Sequence, residues 1–241
     1  MNRIKIVTVT VLAAAIVLTA GSWMFAADQS ATAGAQAMSV SGSRPAAAAS
    51  RPVAARLPKP KTDGGMPLMD ALSKRHSSRQ FADRKLTDQV LSNLLWAAWG
   101  VNRNDGRRTA PSAVNWQEID VYVAMADGLW LFDAKAHDIR HVSPNDIRAL
   151  TGKQAFVKDA PVNLIFVADL AKMGKGGSEA DKALNFGADT GFISQNVYLF
   201  CAAEGLATVV RGMIDRPELA KAMGLREDQR IVLAQTVGYP R

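Results

Sequence analysis

The chain has one cysteine, Cys201, among 241 residues, so no disulfide can form within it. Cys201 lies in an apolar run of helical spacing and reads as a small core residue rather than a nucleophile. Histidine is almost as scarce. His76, His137 and His141 do not share metal-ligand spacing, and neither an HExxH nor a cysteine cluster is present, so no metal centre is expected. No GxGxxG opens a helix after a strand and no GxxxxGK[ST] occurs, which removes the dinucleotide and P-loop fingerprints. No GxSxG elbow offers an acyl-transfer serine.

What is present begins with charge. The formal net charge is +7, a value that could mark a nucleic-acid or membrane partner. Its distribution argues otherwise. Residues 1–27 carry Arg3 and Lys5, then an uncharged run from Ile6 to Ala20, then small residues ending at Ala26-Ala27. That is the pattern of a secretory signal peptide. An uncleaved membrane anchor fits as well, since Ile6 to Ala27 would reach about 33 Å as a helix. Either reading exports the remainder, to the periplasm or to the outer side of the cytoplasmic membrane. Residues 28–61 are rich in Ala, Ser, Gly and Pro and read as a flexible linker, with five basic residues against Asp28. Residues 62–241 then hold 22 basic and 21 acidic residues. The folded part has no general basic excess, so no nucleic-acid partner is expected; a membrane tether could come only through the N-terminus.

Within 62–241 helical spacing marks Pro67–Lys74, Thr87–Trp99, Ser178–Glu204 and Arg216–Met223. Thr87 is placed to cap the second helix, Gly205 to end the third, and Pro217 to sit in the first turn of the fourth. Ser143-Pro144 also reads as a helix start. Strands are predicted over 119–125, 129–132, 139–142, 161–168, 206–210 and 231–237, with Asp127-Gly128 as a turn. Helices interleave with strands, yet some strands form hairpins, which implies an α+β domain on a mixed sheet.

Three polar clusters could carry chemistry. Lys74-Arg75-His76-Ser77-Ser78-Arg79 follows a helix, and its two guanidinium groups four residues apart, with hydroxyls between, can clamp a phosphate. The same cluster also fits a solvated basic helix end. The run from Arg107 to Asn115 joins small residues to hydrogen-bonding ones, as a loop against a flat ligand would, or as any loop would. The third is Gly238-Tyr239-Pro240-Arg241, where Arg241 could fray or reach an anion.

These clusters, taken together, resemble the FMN-dependent nitroreductase family. Arg75-His76-Ser77-Ser78-Arg79-Gln80-Phe81 is similar to its opening Arg-x-Ser-x-Arg/Lys motif with a following Phe. In the family's order come the helix at 87–99, Ala110-Pro111-Ser112-Ala113-x-Asn115, the strand at 119–125 and Asp159-Ala160-Pro161. The helix with Gln195-Asn196, then Gly205-Leu206-Ala207-Thr208 leading to Gly212, and the Gly-x-Pro-basic end complete it. The resemblance covers roughly 66–241 and reaches toward the branch of azoline-oxidising dehydrogenases. Where that branch carries a Lys-Tyr pair, this chain has Lys172-Met173, and a Met cannot act as acid or base, so azole formation is not expected.

The resemblance implies a nitroreductase-like sheet flanked by helices, in an intertwined homodimer with FMN bound. Arg75, His76 and Ser77 would serve the phosphate and ribityl chain, and Arg79 the N1–C2=O edge of the flavin. Pro111, Ser112, Ala113 and Asn115 would line the ring from the other subunit. The backbone at Val210, Arg211 and Gly212 would meet its N5 side, and Arg241 would close on the phosphate. The helix at 178–204 would lie at the dimer interface. The flavin would carry hydride and electrons to a small-molecule acceptor, so no catalytic acid or base in the protein is implied. The donor would be NAD(P)H by resemblance, although an exported protein meets little of it. A flavin-free descendant that binds a small ligand or a partner in the same slot is the competing expectation.

Overall fold

The computed structural model describes residues 54–241. The leader expected over 1–27 and the linker expected up to residue 53 lie outside the described residues. Four α-helices follow in chain order: α1 (Leu68–Lys74), α2 (Asp88–Trp99), α3 (Glu179–Glu204) and α4 (Arg216–Met223). Their ends have local causes. The Thr87 side chain accepts the Val90 amide at 3.3 Å to start α2. Ser178 and Asp181 form a reciprocal capping box at the start of α3, and Gly205 ends it with φ 66°.

The strands are β1 (Ala54–Arg56), β2 (Ile119–Met125), β3 (Gly128–Asp133), β4 (Asp138–Ser143), β5 (Val162–Asp169), β6 (Ala207–Arg211) and β7 (Gln229–Gly238). They form one sheet in the order β1-β4-β3-β2-β5-β7-β6. The α+β class holds, but the mixed sheet does not: every pairing among the described residues is antiparallel. The β2–β3 turn is too short for a crossover, so those neighbours must run antiparallel.

Both faces of the sheet are covered, and side-chain alternation sorts the core. Val121, Val123, Leu164 and Phe166 face one cluster with Leu94 and Leu95 of α2 and Ile193 and Val197 of α3. Tyr122, Ala124, Ile165 and Val167 face the other, with Leu219 and Met223 of α4. This is why β5 is apolar from Leu164 to Ala168: all eight of its residues are buried, Asn163 and Asp169 included. Each large aliphatic side chain so buried contributes about 1.5–3 kcal/mol.

Two expectations need correction. Residues 54–61 are part of the domain. β1 pairs with β4, Ser92 Oγ donates to the Pro58 carbonyl at 2.6 Å, Gln89 Nε2 donates to the Lys59 carbonyl at 3.0 Å, and the Lys61 amide donates to Asn93 Oδ1 at 2.9 Å. Backbone groups hold this strap, which a count of large apolar side chains does not register. The helix expected at Ser143-Pro144 is a bend, where Ser143 Oγ accepts the Asn145 amide at 3.3 Å; short 3-10 turns follow at Arg148–Thr151 and Ala155–Lys158.

Candidate functional site

The site is built on the open edge of β6. That strand pairs only with β7, so one row of its backbone groups faces away from the sheet. The chain leaves α1 at Arg75 and runs extended along this edge. The Ser78 amide donates to the Thr208 carbonyl at 2.9 Å. Farther on, Phe81 bridges Pro240, and the Ala82 amide donates to the Tyr239 carbonyl at 2.9 Å. The Arg75–Phe81 segment, β6 and the C-terminal tail are thereby fixed side by side.

Tyr198 on α3 ties the upper part of this arrangement together. Its hydroxyl accepts the Val210 amide at 3.0 Å and lies 2.8 Å from Ser77 Oγ. The Arg75 guanidinium sits 5.3 Å from the centre of the same ring, a cation–π distance. His76 does not join them, because its Nδ1 donates back to the Lys74 carbonyl at 2.8 Å. Lower down, Arg79 and Arg241 meet in a cleft of about 420 Å3 with Gln80, Phe81, Phe156 and Asp159. Both arginines are exposed, so their charge is available to an anion, with Asp159 offsetting part of it.

The loop from Pro111 to Gln117 is anchored elsewhere. The Ala113 amide donates to Asp189 Oδ2 at 2.9 Å, and Ser112 Oγ donates to Glu118 Oε2 at 3.2 Å while accepting the Gln117 amide at 2.8 Å. Val114, Asn115 and Gln117 have φ of 51°, 59° and 50°, left-handed values uncommon for such residues. Gln117 Nε2 donates to Asn115 Oδ1 at 3.0 Å, which helps hold that shape. Glu118 and Asp189 are both buried, and they hold neighbouring residues of the same turn, Ser112 and Ala113. Burial, then the neighbouring Asp189, pushes Glu118 up to about 7.

The model of the nitroreductase family matches residues 72–239. That span takes in both the Arg75–Phe81 segment and the β6 edge. The chain belongs to the nitroreductase family. It is 30% identical over 171 residues to a protein of Methanocaldococcus jannaschii that carries a nitroreductase name, covering 66% of this chain and 85% of that one. A crystal structure described as a nitroreductase from Ralstonia eutropha JMP134 superposes with a TM-score of 0.75 at 41% identity, over 79% of this chain and 90% of that chain. A Desulfovibrio desulfuricans structure, described as a nitroreductase in complex with FMN, shares the fold with a TM-score of 0.54 at 23% identity, over 73% of this chain and 87% of that chain. Membership makes the protein an oxidoreductase of nitroreductase type.

Among the residues expected to serve a nitroreductase site, the structure brings Arg75, Ser77 and Val210 together through Tyr198, and Arg79 with Arg241. It does not bring Pro111, Ser112, Ala113 and Asn115 to them within one chain. Their anchor, Asp189, lies nine residues before Tyr198 on α3, about 13 Å along the helix axis. The Arg211 side chain is turned away from these groups. Its guanidinium is buried, donating to the Thr151 carbonyl at 2.6 Å, Asn163 Oδ1 at 2.8 Å and Thr236 Oγ1 at 3.1 Å. Burial without a carboxylate partner lowers it to about 10. Its amide is committed too. Thr208 and Val210 face the open edge, so the alternating residues Val209 and Arg211 face β7, and the next open amide is that of Gly212. Lys172 is paired with Asp120 at 2.6 Å, and Met173 is buried as core.

Tyr198 escaped the sequence reading. Its neighbours on α3 are apolar, so its spacing signals only a helix face, and its hydroxyl partners come from elements 121 and 12 residues away. Glu118 and Asp189 were missed likewise, since each is an ordinary carboxylate until the fold buries it against the other.

Proposed function

We propose that this protein is an FMN-dependent oxidoreductase that works as a homodimer. The observation that carries the reading is the convergence of Arg75, Ser77, Arg79 and Arg241 along the open edge of β6. The donor set suits the cofactor. Arg79 and Arg241 offer exposed cations from one cleft, Arg75 and Ser77 offer a cation and a hydroxyl from the same segment, and the strand edge past Val210 offers the Gly212 amide to a flat heteroaromatic rim. Bound FMN would supply the chemistry, accepting a hydride at N5 and passing electrons to a small acceptor. The protein's part is placement and charge. Arg75, Ser77 and Arg241 would hold the phosphate end, Arg79 would offer a cation to the pyrimidine edge, and the Gly212 amide would serve the N5 side.

A second copy completes the slot in this reading. The Pro111–Asn115 loop stands apart from the Arg75 segment of its own chain, and one face of α3 exposes Leu184 and Phe192 with Gly187 and Gly191 between them. A Cβ added at either glycine would meet nothing, so that face is open to close approach by another helix. The hydride donor is NAD(P)H by family resemblance. The charge pattern of residues 1–27 supports a location outside the cytoplasmic membrane, free in the periplasm or tethered, where another donor could stand in. Fractionation of cells expressing the full chain tests that placement; recovery in the cytosol would contradict it. Equilibrium titration of the full chain with FMN tests the cofactor, and failure to bind would favour a flavin-free ligand-binding role for the same slot.

A further inference from the structure

We infer that Tyr198 is a positioning residue that aims the Ser77 hydroxyl at the phosphate of the cofactor; the inference rests on the FMN reading above. The direction of each hydrogen follows from its neighbours. The Val210 N–H can only donate, and it donates to the Tyr198 oxygen at 3.0 Å. The phenolic hydrogen then needs an acceptor, and the Ser77 oxygen at 2.8 Å is the one beside it. Ser77 therefore accepts from Tyr198, which leaves its own hydroxyl hydrogen to be donated outward. Ser77 is exposed, so that hydrogen faces the ligand side. The result is a polarised chain, Val210 N–H to Tyr198 O–H to Ser77 O–H, that ends as a donor and so favours an anionic oxygen.

The scaffold behind the chain is rigid. The Tyr198 residue is 7% exposed and packs from the C-terminal third of a 26-residue helix, so its hydroxyl has little freedom to move. The π face of the same ring lies beside the Arg75 guanidinium, so one side chain orients a neutral donor and a cation toward the same place. It also joins α3 to the α1–α2 connection and to β6, which lie side by side at the proposed site.

Tyr198→Phe keeps the ring, its packing and its contact with Arg75, and removes only the hydroxyl. Riboflavin, which lacks the phosphate, serves as the internal control. The expected result is about a tenfold loss of FMN affinity in Tyr198→Phe with riboflavin affinity within twofold of the parent. Ser77→Ala, at an exposed position that does not bear on folding, should give the same selective loss. The double variant should bind FMN within about threefold of either single variant, because one relay is broken in all three. A Tyr198→Phe protein that retains the parent's ratio of FMN to riboflavin affinity, or losses that multiply in the double variant, would overturn the inference alone. A parent that binds no FMN would overturn the cofactor reading together with it.

Discussion

The Glu118 carboxyl is buried against the Asp189 carboxyl, and each holds one point of the Ser112–Ala113 backbone turn: Ser112 Oγ donates to Glu118, and the Ala113 amide to Asp189. Burial, with the Asp189 charge nearby, disfavours an ionised Glu118, so the folded chain retains a proton there toward neutrality. The loop that this pair fixes contains three left-handed residues that would otherwise relax.

A pH dependence follows. Glu118 is raised from its usual 4.5 to about 7, so the folded chain binds more protons than the unfolded one between those values. Stability from this group is complete below about 4.5 and is lost as pH rises through about 7. Glu118→Gln keeps a group able to donate to Asp189 and cannot ionise. Urea unfolding from pH 5 to 8 should show the parent losing on the order of 2 kcal/mol relative to Glu118→Gln. Parallel curves for the two proteins would show that the carboxyls do not share a proton.

Arg211 is a structural residue. Its removal leaves the Thr151 carbonyl and Thr236 Oγ1 without their buried donor, and Asn163 Oδ1 with only the Thr236 hydroxyl. Arg211→Met should cost about 2–4 kcal/mol in chemical denaturation. The FMN affinity of the protein that remains folded should stay near that of the parent. A stable variant that had lost FMN would return Arg211 to the cofactor site.

The residues of the opening motif should separate by their placement. Arg75→Ala and Arg79→Ala should each weaken FMN binding at least tenfold by fluorescence titration, since each removes a cation from the phosphate or the ring edge. His76→Ala should change it by less than twofold, because its ring is held by the Lys74 carbonyl. An effect of His76→Ala as large as that of Arg75→Ala would mean that the segment rearranges around the ligand.

The proposed dimer would rest on the open face of α3. Leu184 is 73% exposed and Phe192 47% exposed, eight residues apart on one face. Leu184→Asp with Phe192→Asp should give a monomer in analytical ultracentrifugation where the parent is a dimer, and should lose FMN as well. A monomeric parent that binds FMN would show that one chain suffices.

Much of this architecture was legible because its signals are local. Thr87, Ser178 and Gly205 mark helix ends through hydrogen bonds made within a few residues, and the alternation in β2 sorts its two faces. The opening motif was legible as well, since Arg75, Ser77 and Arg79 sit together in the chain. What stayed hidden depends on distant partners. The strap at 54–61 is held by backbone groups from α2 and β4, the Glu118–Asp189 contact closes over 71 residues of sequence, and Tyr198 gains its role only where β6 and the Arg75 segment meet on it. The structural role of the Arg211 side chain stayed hidden for the same reason, since Thr151, Asn163 and Thr236 come from three other parts of the chain.

The most direct test of the central claim is the visible absorbance of the full chain after incubation with excess FMN and removal of free ligand. The expected spectrum is that of bound oxidised flavin at about one FMN per chain, bleached under anaerobic reduction and restored by an electron acceptor. A colourless protein after the same treatment, folded by circular dichroism and dimeric in solution, would contradict the assignment of Arg75, Ser77, Arg79 and Arg241 to an FMN site.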